Sequence, residues 1–179
     1  SVIKSLARQD APAGIVACAE TQSAGRGRRG RSWAGTPGKN LTFSVLLRPK
    51  LKSGEVQLLN LAAGLAVKET LRAMYSIPAE LKWPNDILCR GRKMCGILSE
   101  AAGEPDRIYY AATGIGLNVN MEPDDLPPEL RATATSALIE SGRILPRWRV
   151  LVTLLGAFAR YAELLDTKSG GAELLSIYR

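Results

Sequence analysis

A short run of glycines and arginines carries the strongest chemical signal in the sequence. Gly25–Arg31 reads GRGRRGR, and Trp33 follows two places later. Glycines let the backbone adopt conformations that are closed to other residues and approach a ligand closely, while guanidinium groups pair with negatively charged oxygens. The run therefore predicts a loop that binds an anion, either a phosphate-bearing small molecule or a nucleic-acid backbone.

Two familiar phosphate-binding patterns do not account for this loop. Gly25, Gly27 and Gly30 satisfy the spacing G-x-G-x-x-G, but in dinucleotide-binding folds that turn opens directly into a helix. Here the following segment, residues 32–40, contains two glycines and a proline instead. The sequence also contains no G-x-x-x-x-G-K-[ST] pattern, which excludes a P-loop.

A second set of polar residues lies in the middle of the chain. The segment Lys82–Asp86 reads KWPND, and Lys93 and Gly96–Glu100 follow within one predicted hairpin. Lys82 and Lys93 on adjacent strand segments would bring two ammonium groups to one pocket, and Gly96 would leave room for a ligand beside the sheet. The alternative is a pair of solvated lysines on an edge strand.

A third motif, GIGLNVN, begins at Gly114. Gly114 and Gly116 are two residues apart, so in a strand they lie on the same face and leave a flat floor on which a ring can lie. The Asn118 side chain would then form a hydrogen bond with a purine or a ribose. The alternative is a strand that twists at its glycines and ends in a turn-forming asparagine.

Composition limits the chemistry available to these motifs. The chain has 179 residues, 46% of them hydrophobic, which suits one domain with a real core. Its net charge of +7 suits an anionic ligand or partner. Histidine is absent, which excludes Ser-His-Asp and Cys-His catalysis and removes the commonest metal ligand. Lysines, arginines, carboxylates and the backbone must therefore do the chemistry.

Three cysteines, Cys18, Cys89 and Cys95, form no C-x-x-C pair. Their odd number argues against a disulfide framework and favours a reducing, cytoplasmic location. Each is expected to be a small buried hydrophobic residue. The sequence has no long apolar run and no signal-peptide pattern at its start, so no membrane association is expected.

The elements that must position these motifs follow from hydrophobic periodicity and turn residues. Helices are predicted at residues 1–9, 54–74, 136–140, 146–165 and 171–178. Strands are predicted at residues 15–19, 41–47, 81–83, 87–89, 93–101 and 107–118. Consecutive strands joined by hairpins, with helices grouped around them, predict an α+β (mixed α/β) domain with a mixed sheet.

Together the motifs resemble those of biotin protein ligases, in the same order and approximate spacing over nearly the whole chain. The matching segments are Glu20–Ala24 leading into Gly25–Arg31 and Trp33, then Lys82–Asp86, Lys93–Glu100 and Gly114–Asn118. The resemblance implies a catalytic domain similar to class II aminoacyl-tRNA synthetases, with a mixed, mainly antiparallel sheet backed by helices. It implies ATP-dependent formation of biotinyl-5′-adenylate, followed by transfer to one lysine of the biotin carboxyl carrier protein of acetyl-CoA carboxylase or a related biotin-dependent enzyme.

The resemblance also implies roles for individual residues. Catalysis is assigned to Lys93, Arg28 and Lys82. Biotin binding is assigned to Gln22, Arg26, Gly27, Arg28, Lys93, Gly96 and Gly116. Adenylate binding is assigned to Arg28, Arg31, Trp33, Asn85, Lys93 and Asn118. ATP is expected to arrive with Mg²⁺ held mostly by phosphates and water, so no protein metal site is expected, and Asp86 is interpreted as a lysine-pairing carboxylate. The run Gly25–Arg31, called the arginine loop below, is expected to be mobile when empty and ordered over the adenylate.

Residues 1–179 are thus expected to form the catalytic domain alone. Members of the family carry a Ser-Thr-Asn segment before the first helix and usually end in a small SH3-like barrel, and neither segment is expected within this sequence. It also has no N-terminal winged helix, so DNA binding is not expected. A homodimer is possible.

Three alternatives stay open at this point. A lipoate-type protein ligase shares the fold and the adenylation chemistry, although its arginine-containing loop normally lacks the order seen here. A basic nucleic-acid-binding module would use the arginine loop with Trp33, Trp83 or Trp148, and would bind with steep salt dependence. A ligase-like domain made inactive by truncation would keep the pocket but turn over poorly.

Overall fold

A six-stranded antiparallel sheet forms the centre of the molecule in a computed structural model that describes residues 1–30, 32–33 and 35–178. The strands are β1 (Val16–Cys18), β2 (Asn40–Leu47), β3 (Ala79–Lys82), β4 (Asp86–Cys89), β5 (Arg92–Glu104) and β6 (Arg107–Asn118). Their order is β1-β2-β6-β5-β4-β3, and each neighbouring pair is antiparallel. The predicted α+β class and the six predicted strands are confirmed, with small differences at the strand ends. The predicted mixed sheet is wrong, because the hairpin connections and strand order leave no parallel neighbours among the six described strands.

The β4–β5 hairpin closes as its basic turn predicts. Arg90 and Gly91 both have positive φ, 50° and 77°, which is the conformation of a two-residue turn that matches the twist of antiparallel strands. The same tight connection makes β4 and β5 neighbours. It therefore brings Asp86, at the start of β4, opposite Gly96 of β5.

Within the described ranges, five helices lie where periodicity predicts them. They are α1 (Val2–Arg8), α2 (Gln57–Tyr75), α3 (Ala137–Ser141), α4 (Arg147–Leu164) and α5 (Gly170–Tyr178). Ser136 caps α3, its Oγ accepting a hydrogen bond from the Ile139 amide at 3.1 Å, and Gly142 ends it with a φ of 68°. Single 3₁₀ turns such as Arg28–Gly30 were not predicted, because one turn carries no hydrophobic period.

The two faces of the sheet have different surroundings. One face packs on α2 and α4, burying alternate strand residues such as Phe43, Ile97 and Ile115 in the main core. On the other face, α1 covers only a small apolar cluster, in which Ile3 packs near Leu46. The rest of this second face is left open as a cavity. Among the described residues, no helix is both long enough and apolar enough to cross a bilayer.

The cysteines only partly match their predicted burial. Cys89 and Cys95 are buried in the core, but Cys18 is exposed because β1 is an edge strand. Burial raises the pKa of Cys89 to about 11, assisted by its hydrogen bond to Glu140, and burial also raises the pKa of Cys95 strongly.

Alkylation at pH 8 should therefore modify one thiol in the folded protein. We expect mass spectrometry after iodoacetamide treatment to find the label on Cys18, with Cys89 and Cys95 labelled only in denaturant. Rapid labelling of two or three thiols without denaturant would contradict the burial of Cys89 and Cys95.

Candidate active site

A cavity of about 800 Å³ lies on the open face of the sheet, under the arginine loop. Segments that are far apart in the sequence line it together. Its predicted site residues are Gln22, Arg26, Gly27, Arg28, Trp33, Asn85, Lys93, Gly96 and Gly116. The predicted convergence of Lys93 with the arginine loop is therefore present: cationic side chains from both line one cavity.

The floor of the cavity is made by glycines of two paired strands. Gly96 of β5 lies directly opposite Gly116 of β6, and the indole of Trp33 lies on both. A Cβ added at Gly116 would be 2.5 Å from Trp33 Nε1, and one added at Gly96 would be 3.1 Å from Trp33 Cζ3. A flat glycine floor that carries a ring is therefore present. It is formed by Gly96 and Gly116, whereas the sequence predicted Gly114 and Gly116.

Trp33 places a polar atom at this floor. Its indole Nε1 is buried and has no hydrogen-bond partner among the described residues. A buried donor of this kind costs free energy unless a partner is supplied. The indole N–H is therefore an unsatisfied donor that lies against Gly116.

Lys93 reaches the cavity because of a β-bulge. On β5, Cys95 and Lys93 pair with consecutive residues of β4, whereas Met94 between them has no partner on that strand. In a regular strand Lys93 would share the face of Cys95 and point into the core, since side chains alternate. One extra residue reverses that alternation, so Met94 and Cys95 are both buried while Lys93 lines the cavity with Gly96.

The ammonium group of Lys93 is held by a carboxylate and an aromatic ring. Lys93 Nζ lies 2.7 Å from Asp86 Oδ1 and 5.7 Å from the centroid of the Trp33 ring. Asp86 is therefore a lysine partner, as interpreted from the sequence. The pair keeps a cation aimed along the floor, where an anionic group of a ligand can share it.

Arg28 is joined to the same strands through Asn85. Arg28 Nη1 donates to Asn85 Oδ1 at 3.3 Å, and Asn85 Nδ2 donates to the Ile97 carbonyl at 3.2 Å. The Ile97 amide returns a hydrogen bond to the Asn85 carbonyl at 2.8 Å. Asn85 is thus fixed to β5 and can position a guanidinium over the cavity.

Arg26 is held on the other side of the cavity by Glu100. Arg26 Nη2 lies 2.9 Å from Glu100 Oε2, and Lys4 Nζ of α1 lies 2.6 Å from Glu100 Oε1. Sequence reasoning quoted Glu100 within its motif without giving it a role. The even spacing from Gly96 to Glu100 places both on the cavity face and was a usable signal.

The two ends of the arginine loop are tied together. The Trp33 amide donates to the Gly25 carbonyl at 3.1 Å. Before the loop, Glu20 accepts from Arg147 Nη1 at 2.9 Å and from the Gly38 amide at 2.9 Å. These bonds lower the pKa of Glu20, that from Arg147 most. The loop therefore leaves and re-enters the fold at fixed points.

Two of the predicted site residues that the structure describes do not line the cavity. Lys82 stands opposite Asp86 on edge strand β3, is exposed, and does not line the cavity. Asn118 is 6% exposed and points to other partners: it accepts from Asn40 and donates to the Thr135 carbonyl. The prediction that Lys82 and Asn118 line the substrate cavity is therefore wrong for this structure. Arg31 lies outside the described residues.

Comparison with known proteins gives a consistent result. The chain is 40% identical over 155 residues to the bifunctional ligase/repressor BirA of Bacillus spizizenii, covering 87% of this chain and 48% of that protein. It is 39% identical over 173 residues to the biotin–[acetyl-CoA-carboxylase] ligase of Mycobacterium tuberculosis, covering 93% and 60%. The chain thus spans about half to three-fifths of these relatives.

A solved structure extends the similarity to the whole fold. The biotin protein ligase from Aquifex aeolicus in complex with biotin and ATP aligns with a TM-score of 0.84 and 32% identity, covering 99% of this chain and 72% of that one. The family described as biotin/lipoate A/B protein ligase matches residues 2–119, most of the chain. Because this match covers well over half of its length, the chain belongs to the biotin/lipoate A/B protein ligase family.

Proposed function

We propose that residues 1–179 act as the catalytic domain of a biotin protein ligase. The domain would join biotin to ATP, forming biotinyl-5′-adenylate and pyrophosphate, and then transfer the biotinyl group to a lysine of a carrier protein. The observation that carries the proposal is the cavity in which Lys93, Arg26 and Arg28 converge over a glycine floor. The relatives named as biotin ligases, and the similar structure that binds biotin and ATP, support biotin as the acid.

The first step requires cations where two anions meet. An oxygen of the biotin carboxylate attacks the α-phosphorus of ATP, the bond to the β-phosphate bridging oxygen breaks, and pyrophosphate leaves. Negative charge on the phosphoryl oxygens must be stabilised as the carboxylate approaches. Lys93 would hold the carboxylate and the reacting phosphate, and Arg28 would cover the other side. One such fixed donor is typically worth about 10²–10³ in rate.

The glycine floor and Trp33 would bind the uncharged part of biotin or the adenine. Gln22 lines the same cavity and would supply a hydrogen bond to biotin. Folding of the loop around the adenylate would keep water from the mixed anhydride.

The second step transfers the acyl group to an amine. A neutral lysine amine attacks the acyl carbon, the bond to the phosphate oxygen breaks, AMP leaves, and the nitrogen releases one proton to solvent. The sequence has no histidine, and both carboxylates of the cavity, Asp86 and Glu100, are ion-paired. Positioning of the neutral fraction of the amine against the adenylate would therefore drive this step.

Mg²⁺ enters this proposal as part of the ATP substrate. The described residues hold no group of three or more His, Cys, Asp or Glu side chains placed to bind a metal ion. Since the cavity carboxylates already pair with cations, phosphate oxygens and water would supply the Mg²⁺ ligands.

The carrier and the location of the protein belong to the same proposal. We assign the acceptor lysine to a biotin carboxyl carrier domain of acetyl-CoA carboxylase or a related enzyme, since one relative is named for that activity. The three free cysteines suit a cytoplasmic protein.

Pyrophosphate release tests the proposed activity directly. We expect release to require both biotin and ATP, and lipoate to neither replace biotin nor compete with it. Incubation with a biotin carboxyl carrier domain should then yield one added biotinyl group by mass spectrometry. Lipoate-dependent release without a response to biotin would instead identify a lipoate-type ligase.

Thermal unfolding provides a binding test that is independent of turnover. Biotin with MgATP should raise the melting temperature more than either alone, because the adenylate formed from them would contact more of the cavity than either substrate does. A ligand at 100 times its dissociation constant adds roughly 2.7 kcal/mol of stability. Equal stabilisation by duplex DNA, lost at high salt, would favour the nucleic-acid-binding alternative.

A further inference from the structure

The backbone of Lys93 is bonded to a segment outside the sheet. The Lys93 amide donates to the Thr133 carbonyl at 2.7 Å, and the Thr135 amide donates to the Lys93 carbonyl at 2.9 Å. These two bonds form an isolated parallel bridge between Lys93 and Ala134. Thr133–Thr135 thus supports β5 at the bulge that turns Lys93 toward the cavity.

Thr135 is in turn fixed through both its side chain and its carbonyl. Its hydroxyl donates to Glu140 Oε1 at 2.6 Å, and its carbonyl accepts from Asn118 Nδ2 at 3.0 Å. Thr135 is fully buried and Asn118 is 6% exposed. This arrangement gives Asn118 a use other than the nucleotide contact predicted for it.

Glu140 connects Thr135 to Arg90 and Arg92, two residues of the hairpin that precede Lys93. Its side chain is fully buried and lies 2.8 Å from Arg92 Nη2 and 3.1 Å from Arg90 Nη1. Burial alone would raise the pKa of Glu140, but hydrogen bonds, that from Thr135 first, and the two guanidinium charges outweigh it and lower the pKa. A charged, buried carboxylate therefore joins α3 to the residue before Lys93 and to Thr135.

We propose that Glu140 and Thr135 are positioning residues for Lys93. They act through Thr133–Thr135, which holds the bulge and so sets where the Lys93 ammonium lies in the cavity. Neither residue lines the cavity, so they are not expected to touch a substrate. The inference rests on the proposed role of Lys93 in adenylate formation.

Thr135→Val is the variant that tests this link most selectively. It removes the hydroxyl but keeps the volume and the backbone bonds to Lys93, and Glu140 keeps its partners Arg92 and Arg90. We expect adenylate formation, measured as biotin-dependent pyrophosphate release in a single turnover, to slow about 10-fold or more, since small misplacements of a catalytic group are costly.

Thr113→Val is the matched control. Thr113 is also fully buried, and its hydroxyl shares one hydrogen bond, of 2.9 Å with Ser99, on the core side of the sheet. It should lose a similar amount of thermal stability while its adenylation rate stays within about twofold of the parent, as for a site that does not couple to the reaction.

A double-mutant cycle with Lys93→Ala separates positioning from general loosening. If Thr135 acts through the Lys93 ammonium, Thr135→Val should slow the parent but change the Lys93→Ala background by less than about twofold. The biotin dissociation constants of the same four proteins, measured by calorimetry, should show the same lack of additivity. Glu140→Gln keeps an acceptor for the Thr135 hydroxyl. Its rate of adenylate formation should lie between those of the parent and of Thr135→Val.

Two results would overturn the inference. One is a parent-like rate for Thr135→Val, and the other is an equal fractional loss in both backgrounds. A parent that neither binds biotin nor releases pyrophosphate would instead overturn the proposed function. The parent measurement therefore distinguishes failure of this inference from failure of the function on which it rests.

Discussion

Lys93→Ala is expected to slow adenylate formation at least about 100-fold. Lys93 is the cavity cation that the bulge aims along the glycine floor, and its Nζ lies 2.7 Å from Asp86 Oδ1. Without the ammonium, the carboxylate and phosphate would meet in the presence of the unneutralised Asp86 carboxylate. The loss should therefore appear both in the rate of pyrophosphate release and in the affinity for biotin.

Lys168→Ala controls for the loss of one positive charge. Lys168 is exposed between α4 and α5 and does not line the cavity. We expect this variant to release pyrophosphate at the parent rate, since exposed charges outside the cavity are screened by water and salt. Near-parent release by Lys93→Ala, in a protein that melts at the parent temperature, would show that Lys93 is not the residue that meets the reacting anions.

Gly116→Val should weaken biotin binding by about 10- to 100-fold. A Cβ at position 116 would already lie 2.5 Å from Trp33 Nε1, so a branched side chain must displace the indole or occupy the space it covers. Overpacking of this kind costs about 1–3 kcal/mol, and about 1.4 kcal/mol corresponds to a factor of ten in affinity. Calorimetric titration with biotin measures the change.

The fold should survive this substitution, because position 116 faces the cavity and valine favours strands. Circular dichroism before titration checks that the variant is folded. Gly156→Ala, on α4 with no atom within 4 Å of the added Cβ, is the matched glycine control and should bind biotin normally. If folded Gly116→Val kept parent affinity, the ligand would have to bind elsewhere than on this floor.

Much of the architecture was predictable because it depends on local patterns. Helix α4 and strand β6 have strong periodicity and clear ends, and the structure places them within one residue of their predicted limits. The β4–β5 hairpin was predictable from its glycine-containing turn. The single 3₁₀ turns were not predictable, since one turn carries no hydrophobic period. The exact strand ends were not predictable either, since they depend on hydrogen bonds to distant segments.

The candidate site was predictable only in part. Lys93 was expected in the cavity beside Lys82, yet simple alternation from Gly96 would have turned Lys93 into the core. The bulge at Met94 decides this, and nothing in the local sequence shows it. Asn118 lies within a recognisable motif, but its amide is used by Asn40 and Thr135, which lie far from it in the sequence.

The sequence by itself determined the fold class, the loop rich in glycine and arginine, and the set of motifs, because these depend on residue types and spacings along the chain. Only the tertiary structure decided which of those side chains meet. In the folded protein Lys93 contacts Asp86 and Trp33, and Lys82 does not line the cavity. The Thr135 hydroxyl donates a hydrogen bond to Glu140. The physical reason is that strand register, bulges and buried hydrogen bonds are set by pairing between distant segments.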